Sequence, residues 1–259
     1  MQRASLCFLP ISASESKMTD PFCHHPELRG LVTPCLQSRF RTITTEKIRE
    51  QIAASGQALT IDFHPDDVRE NLRAQALKAH EGDLCVFAYG SLMWDPALDF
   101  ADVRRAYAPE HERRFILVDS RGGRGTSDAP GVMAALDAGA GCEGLVFRIE
   151  ADKVDCETEI LFRREMIAPA YHARFISVII DGQSTQALTF VADHDQAHMQ
   201  PDIARADQIR FAATGKGILG SSLEYLQNTV SQLGKLGITD EDASDLLNAA
   251  LNFGAETAA

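Results

Sequence analysis

The chain has no surplus of basic residues: 25 Lys and Arg stand against 37 Asp and Glu, for a formal net charge of -12 at pH 7. No Lys/Arg cluster interrupts that balance, so a polyanion would meet no long-range attraction and nucleic acid is not an expected partner. An anionic metabolite in a locally favourable pocket remains compatible with it. Paired cysteines are lacking too. Cys7, Cys23, Cys35, Cys85, Cys142 and Cys156 are scattered and form no Cys-x-x-Cys, which argues against a disulfide framework or a zinc site and fits a reducing compartment. No apolar stretch reaches the length of a bilayer span, so no membrane is expected and the chain reads as soluble and cytoplasmic. The patch from Leu6 to Ile11 is broken by Pro10 and too short for a signal peptide, and Met18 is an alternative start.

Cofactor signatures are missing as well. There is neither a Walker loop nor a dinucleotide fingerprint, and Gly122-Gly123-Arg124-Gly125 lacks the Gly-Lys-Ser/Thr ending of a phosphate cradle. It reads instead as a substrate-side loop between two strands, where Arg121 and Arg124 either meet a carboxylate or simply solvate the loop. His194-Asp195 with His198 fits neither His-Glu-x-x-His nor a zinc knuckle, and these are read as solvated histidines. No metal and no cofactor is expected.

A chain of 259 residues is long enough to bury a substantial core. Residues 1–42 show little periodicity and are expected to form a flexible arm. Residues 43–82 read as a helical extension, with one helix starting behind Thr44 or Thr45 and a second after Pro65. Strands are expected at 84–89, 115–119, 131–136, 142–149, 175–180 and 186–191, the last two joined by the hairpin signal Asp181-Gly182. Helices are expected at 153–166, 203–214, 222–234 and 241–251, with a short tail at 253–259. Strands with a few helices and no regular alternation favour an α+β fold.

Within this body, Val86-Phe87-Ala88-Tyr89-Gly90-Ser91-Leu92-Met93-Trp94 is the most informative segment. An apolar strand there ends in a glycine turn, either an ordinary tight turn or a hydrogen-bond-rich loop for a carboxylate. Ser91 is not in a Gly-x-Ser-x-Gly context, and neither His172 nor any other histidine is assignable as its activator. Glu165, flanked by Arg163, Arg164, Met166 and Ile167, has two readings. It is a proton shuttle at a pocket wall if partly buried, or a solvated partner of Arg163 or Arg164 if not.

The ordered set Phe87 to Pro96, Gly123-Arg124-Gly125-Thr126, Pro130-Gly131, Gly144 to Ile149, Arg164-Glu165-Met166, Tyr171, and Ala213-Thr214-Gly215 through Glu224-Tyr225-Leu226 resembles the ChaC-like family of glutathione-specific gamma-glutamylcyclotransferases. The likeness spans about residues 84–252, within an expected domain at 83–252. It implies a distorted, mostly antiparallel barrel or sheet with flanking helices. It implies glutathione as substrate, cyclised without cofactor to 5-oxoproline with release of cysteinylglycine. Matched to the family's motifs, Glu165 is the catalytic residue, Tyr89, Gly90, Ser91 and Leu92 form the gamma-glutamyl cradle, Tyr225 helps close the pocket, and Arg124 is a further substrate contact. Two departures bear on specificity: Val132 stands where the family commonly has an arginine, and Lys216 and Ser222 alter the segment before Tyr225. A cyclotransferase for another gamma-glutamyl compound and a noncatalytic binding module are the rival readings, and no protein partner is indicated.

Overall fold

The apolar run at 84–88 becomes a strand, β1 (Leu84–Ala88), buried along nearly its whole length because both of its faces are covered. Alternate residues feed two different cores. Leu84, Val86 and Ala88 pack with Leu161, Phe162 and Met166, whereas Phe87 packs with Val146, Val178 and Ala187. The computed structural model that shows this describes residues 20–56 and 61–258. The short apolar patch at Leu6 to Ile11 and the alternative start at Met18 lie outside the described residues.

Six further strands join β1 in one sheet: β2 (Asp102–Ala108), β3 (His111–Asp119), β4 (Gly131–Ala138), β5 (Cys142–Ile149), β6 (Tyr171–Ile180) and β7 (Gln183–Ala192). They run in the order β1-β5-β2-β6-β7-β4-β3, and a further parallel pairing of Val86 with Leu188 brings β7 back to β1. Strands β1, β5, β2, β6 and β7 thus close a five-strand barrel, from which the β3–β4 hairpin extends through the parallel β4–β7 pairing. All other pairings are antiparallel, in agreement with the expected mostly antiparallel α+β barrel. The Asp181-Gly182 turn joins β6 to β7 with positive φ at both residues, 49° and 79°, the backbone of a type I′ hairpin.

Strand β2 and the first half of β3 were not expected from sequence. Both are rich in charge, and their arginines find partners far along the chain: Arg105 pairs with Glu143 at 2.8 Å and Arg114 with Asp137 at 2.8 Å. Long arginine stems can lie on a sheet while their heads reach such partners.

Among the described residues six helices flank the sheet: α1 (Thr45–Ala54), α2 (Asp66–Leu77), α3 (Val154–Glu165), α4 (Arg205–Thr214), α5 (Ser222–Lys235) and α6 (Glu241–Ala258). Thr44 caps α1 by accepting from the Lys47 amide at 3.2 Å. Helix α6 continues well beyond the expected end at Leu251. A two-strand ribbon, β8 (Lys216–Gly217) with β9 (Gly220–Ser221), leads into α5. No described helix is long and apolar enough to cross a membrane.

Residues 20–42 differ from the loose arm expected of them. They wind through short 3-10 turns and bury Leu28 and Val32 in the same core as β1. Long-range polar contacts hold them, which is why sequence periodicity did not disclose the packing. Arg41 makes a bidentate pair with Glu157 at 2.7 Å for each bond and donates to the Ala97 carbonyl at 2.9 Å. Glu157 also accepts from the Asp99 amide at 2.9 Å, and its side chain is only 3% exposed. Removing one member of a buried pair strands the other. The Arg41→Ala variant is therefore expected to lose about 3 kcal/mol of stability, read as a lower denaturation midpoint. An unchanged midpoint would show that the pair does not anchor this segment.

Candidate active site

Strand β1 delivers Tyr89-Gly90-Ser91-Leu92 to one end of the barrel, where the chain enters a 3-10 turn at Ser91–Met93. The first amides of such a turn have no partner within it and are left to donate elsewhere. The turn is fastened from behind, since the buried Arg113 donates through Nε to the Tyr89 carbonyl at 2.5 Å and through Nη2 to the Glu143 carbonyl at 2.6 Å. The Tyr89 hydroxyl donates to the Phe190 carbonyl at 2.9 Å. Gly90 leaves room for a neighbour: a Cβ there would lie 2.8 Å from the Tyr225 hydroxyl.

Helix α3 brings Glu165 to this loop as its last residue. Arg164 directs it, donating through Nε to Glu165 at 2.9 Å, through Nη2 to Ser91 Oγ at 2.9 Å and through Nη1 to the Asp95 carbonyl. Because Ser91 Oγ accepts from Arg164, its own O–H is free to donate into the cleft. Glu165 thus pairs with Arg164, but as a largely buried residue lining the pocket and not as a solvated one. Its side chain keeps 16% exposure, facing the cavity. Burial pushes its carboxyl above the ordinary carboxylate range, and the adjacent Arg164 opposes that shift without cancelling it.

Tyr225 arrives on α5, whose start is fixed by a capping box. Ser221 Oγ accepts from the Glu224 amide at 3.0 Å, while the Ser221 amide donates to Glu224 Oε2 at 3.0 Å. The next residue, Ser222, is fully buried, accepts from the Val132 amide at 2.9 Å and donates to its carbonyl at 2.5 Å. That double contact ties α5 to β4 and places Tyr225, so the Ser222 departure has a structural use. Val132, where the family commonly has an arginine, does not itself line the site. It is 1% exposed and packs in the cluster of Phe115, Tyr225 and Leu226, away from the cavity lining.

The parts meet in two connected spaces. A narrow cleft of about 30 Å³ is lined by Tyr89, Gly90, Ser91, Leu92, Ala134, Glu165, Tyr171, Phe190 and Tyr225. It shares Ser91, Ala134, Glu165, Tyr171 and Tyr225 with a larger cavity of about 350 Å³, of which it forms the floor. Arg124 lines the larger cavity, its guanidinium 5.0 Å from the centre of the Tyr225 ring and its Nη1 donating to the Ser221 carbonyl at 3.1 Å. Every site residue expected from sequence thus lines one of these two spaces. Arg164, Arg113 and Asp119 were not expected as site residues. Tyr171 entered only as part of the motif set.

The three phenols around Glu165 are pushed up. Burial is the main cause for each, and the Glu165 charge adds to it at all three. They stay protonated at neutral pH and line the same cleft as the carboxylate. No histidine is among the residues lining either space. Neighbouring glycines serve backbone packing. Asp119 accepts from the Arg121 amide at 2.9 Å and from the Arg124 amide, and the tip of the β8–β9 ribbon donates to the carbonyls of Gly122 and Gly123 at 2.9 and 2.8 Å.

The Arg164→Met variant keeps much of the stem and removes the charge. Without that cation the Glu165 pKa is expected to rise further, moving the acid limb of the activity profile to higher pH. A limb that stays in place or moves down would show that Arg164 does not tune Glu165.

The ChaC-like protein family model matches residues 84–252. A glutathione-specific gamma-glutamylcyclotransferase of Escherichia coli is 32% identical over 173 residues, covering 66% of this chain and 74% of that protein. Glutathione-specific gamma-glutamylcyclotransferase 1 of Homo sapiens is 28% identical over 156 residues, covering 57% of this chain and 69% of that protein. The solved structure of a yeast gamma-glutamyl cyclotransferase specific to glutathione shares the fold, with a TM-score of 0.61 at 18% identity, covering 67% of this chain and 97% of that one. The family model takes in the barrel, the 89–92 loop, Glu165 and Tyr225, and the chain accordingly belongs to the ChaC-like family of gamma-glutamylcyclotransferases.

Proposed function

We propose that this protein converts glutathione to 5-oxoproline and cysteinylglycine, with Glu165 as the proton carrier. One observation carries the reading: a carboxylate with a raised pKa stands on the floor of a cleft walled by Gly90, Ser91 and Leu92. A cavity of about 350 Å³ above that floor has room for the rest of a tripeptide.

The chemistry needs a folded-back substrate and a neutral amine. With the gamma-glutamyl group on the floor, the ionised Glu165 takes one proton from the α-ammonium. The freed nitrogen attacks the side-chain carbonyl of the same residue, forming the ring C–N bond. The amides of the 89–92 turn and the Ser91 hydroxyl face the oxygen that gains charge. Glu165 then returns its proton to the departing amide nitrogen as the old C–N bond breaks. The ring nitrogen loses its second proton to the vacated carboxylate, which passes it to the released amine, so no net proton is gained or lost. Because nucleophile and electrophile are tethered, holding one conformer lowers the barrier by pre-paying entropy. Water takes no part.

Incubation of the purified protein with glutathione in the presence of a chelator should yield 5-oxoproline and cysteinylglycine in equal amounts. Free glutamate instead would indicate gamma-glutamyl hydrolysis. Ligand binding with neither product would support a binding module. Since Glu165 must be ionised to act, activity is expected to fall as pH drops through its raised pKa, above the range of an ordinary carboxylate.

A further inference from the structure

The larger cavity is not built by residues 84–252 alone. Arg39, Phe40, Ile43, Ile48, Ile61 and Phe63 also line it, and all of them precede the segment matched by the family model. This added wall is pinned on both sides. Besides the Arg41–Glu157 pair, Arg163 donates to the Arg41 carbonyl at 2.8 Å, the Thr33 amide to the Trp94 carbonyl at 2.8 Å and the His64 amide to the Ile167 carbonyl at 2.9 Å. It touches the catalytic apparatus directly, because the Phe40 ring lies 4.2 Å beneath the Arg164 guanidinium. None of these residues lines the floor cleft, so the wall borders the space that would receive the leaving part of the substrate.

That space is cationic. Arg39, Arg121 and Arg124 line it together, and among the described residues none of the three has a carboxylate within ion-pair distance. The nearby Asp119 carboxylate is taken up by backbone amides. Arg124 is partly committed to the Ser221 carbonyl and to the Tyr225 ring. Burial comes first among the effects that hold its pKa down, and the like charge of Arg39 adds to it. Asp119 and other nearby carboxylates offset part of this charge at Arg121 and Arg124 without pairing with them. Guanidinium groups gathered without a direct ion-pair partner favour an incoming anion, and a guanidinium matches a carboxylate through two parallel hydrogen bonds.

We propose that Arg39 binds the terminal carboxylate of the leaving peptide, making the segment before the family domain a specificity element for gamma-glutamyl peptides with a free C-terminus. This rests on the cyclotransferase reading of the same cavity. Arg39 is exposed and in no ion pair among the described residues, so its replacement is expected to leave the fold intact, whereas Arg124 is tied to the Ser221 carbonyl and the Tyr225 ring.

The test compares glutathione with its C-terminal amide for the wild type, Arg39→Ala and Arg39→Lys. Wild type is expected to show a KM about tenfold lower for the acid than for the amide. Arg39→Ala should raise the KM for glutathione about tenfold with kcat within about twofold, should leave the amide unchanged, and Arg39→Lys should recover part of the preference. Equal KM values for the two substrates in wild type, or an undiminished preference in Arg39→Ala, overturns the assignment while leaving the cyclotransferase reading untouched. If no 5-oxoproline forms from either substrate, that reading fails. Calorimetric affinity of the wild type and Arg39→Ala for the two compounds then decides the carboxylate site, and equal affinities overturn it.

Discussion

Replacing Glu165 by Gln is expected to lower kcat by about 10²- to 10⁴-fold, the usual contribution of a positioned proton carrier. Glutamine keeps the length of the side chain and an oxygen that can accept from Arg164 Nε, but it cannot hold a proton between ammonium and leaving nitrogen. The fold should survive, and the sign of the pKa shift supports this. Burial raises the folded-state pKa of Glu165, so its contribution to stability is present below the unfolded value and is lost as pH rises through the folded one. Glutamine removes the group whose charged form burial disfavours and still accepts from Arg164, so Glu165→Gln should keep a cooperative melting transition. Undiminished turnover in a folded variant would remove Glu165 from the mechanism. Loss of activity with loss of the melting transition would instead make it a structural residue.

The largest effect on the fold is expected from Gly125→Ala. A Cβ at Gly125 would stand 2.0 Å from the Gly131 nitrogen and 2.2 Å from the Asp119 carbonyl oxygen, both backbone atoms that cannot rotate aside. The neighbouring contacts are equally close: a Cβ on Gly131 would meet the Arg124 carbonyl at 2.4 Å, and one on Gly215 would meet the Gly131 Cα at 2.3 Å. Three chain segments cross here with no side chain between them. Separating them is expected to cost about 3 kcal/mol or more, and it would carry Arg124 and the start of α5 away from the floor cleft. Urea denaturation should show a lower midpoint and the variant should lose turnover as well. A variant as stable as wild type would mean the loops have slack that the close approach does not suggest.

Much of this arrangement was legible in the sequence where local chemistry decides it. The β1 run, the Asp181-Gly182 hairpin and the Thr44 cap follow from apolar pattern, turn residues and capping preference; β1 ends within a residue of expectation, whereas β6 and β7 begin four and three residues earlier than expected. What was not legible depends on partners distant in sequence. The Arg-rich β2 looks like surface until Glu143 is seen opposite Arg105, and residues 20–42 look loose until Arg41 reaches Glu157, 116 positions on. Glu165 shows the limit within the site itself. Its neighbours Arg163 and Arg164 raised both a surface ion pair and a pocket wall, and only the turn of α3 toward Ser91 reveals that Arg164 serves both. Val132 shows a different limit: its departure from the family motif is visible in sequence, but not that its side chain packs with Tyr225 and Leu226 while its backbone holds Ser222.

In the proposed reaction the substrate's own amine, and not water, opens the gamma-glutamyl bond. Turnover of glutathione in water enriched in ¹⁸O, with the acidic product resolved by mass, tests it directly. The expected products are 5-oxoproline free of the heavy isotope and an equal amount of cysteinylglycine. Glutamate carrying one ¹⁸O in its side-chain carboxylate would contradict it.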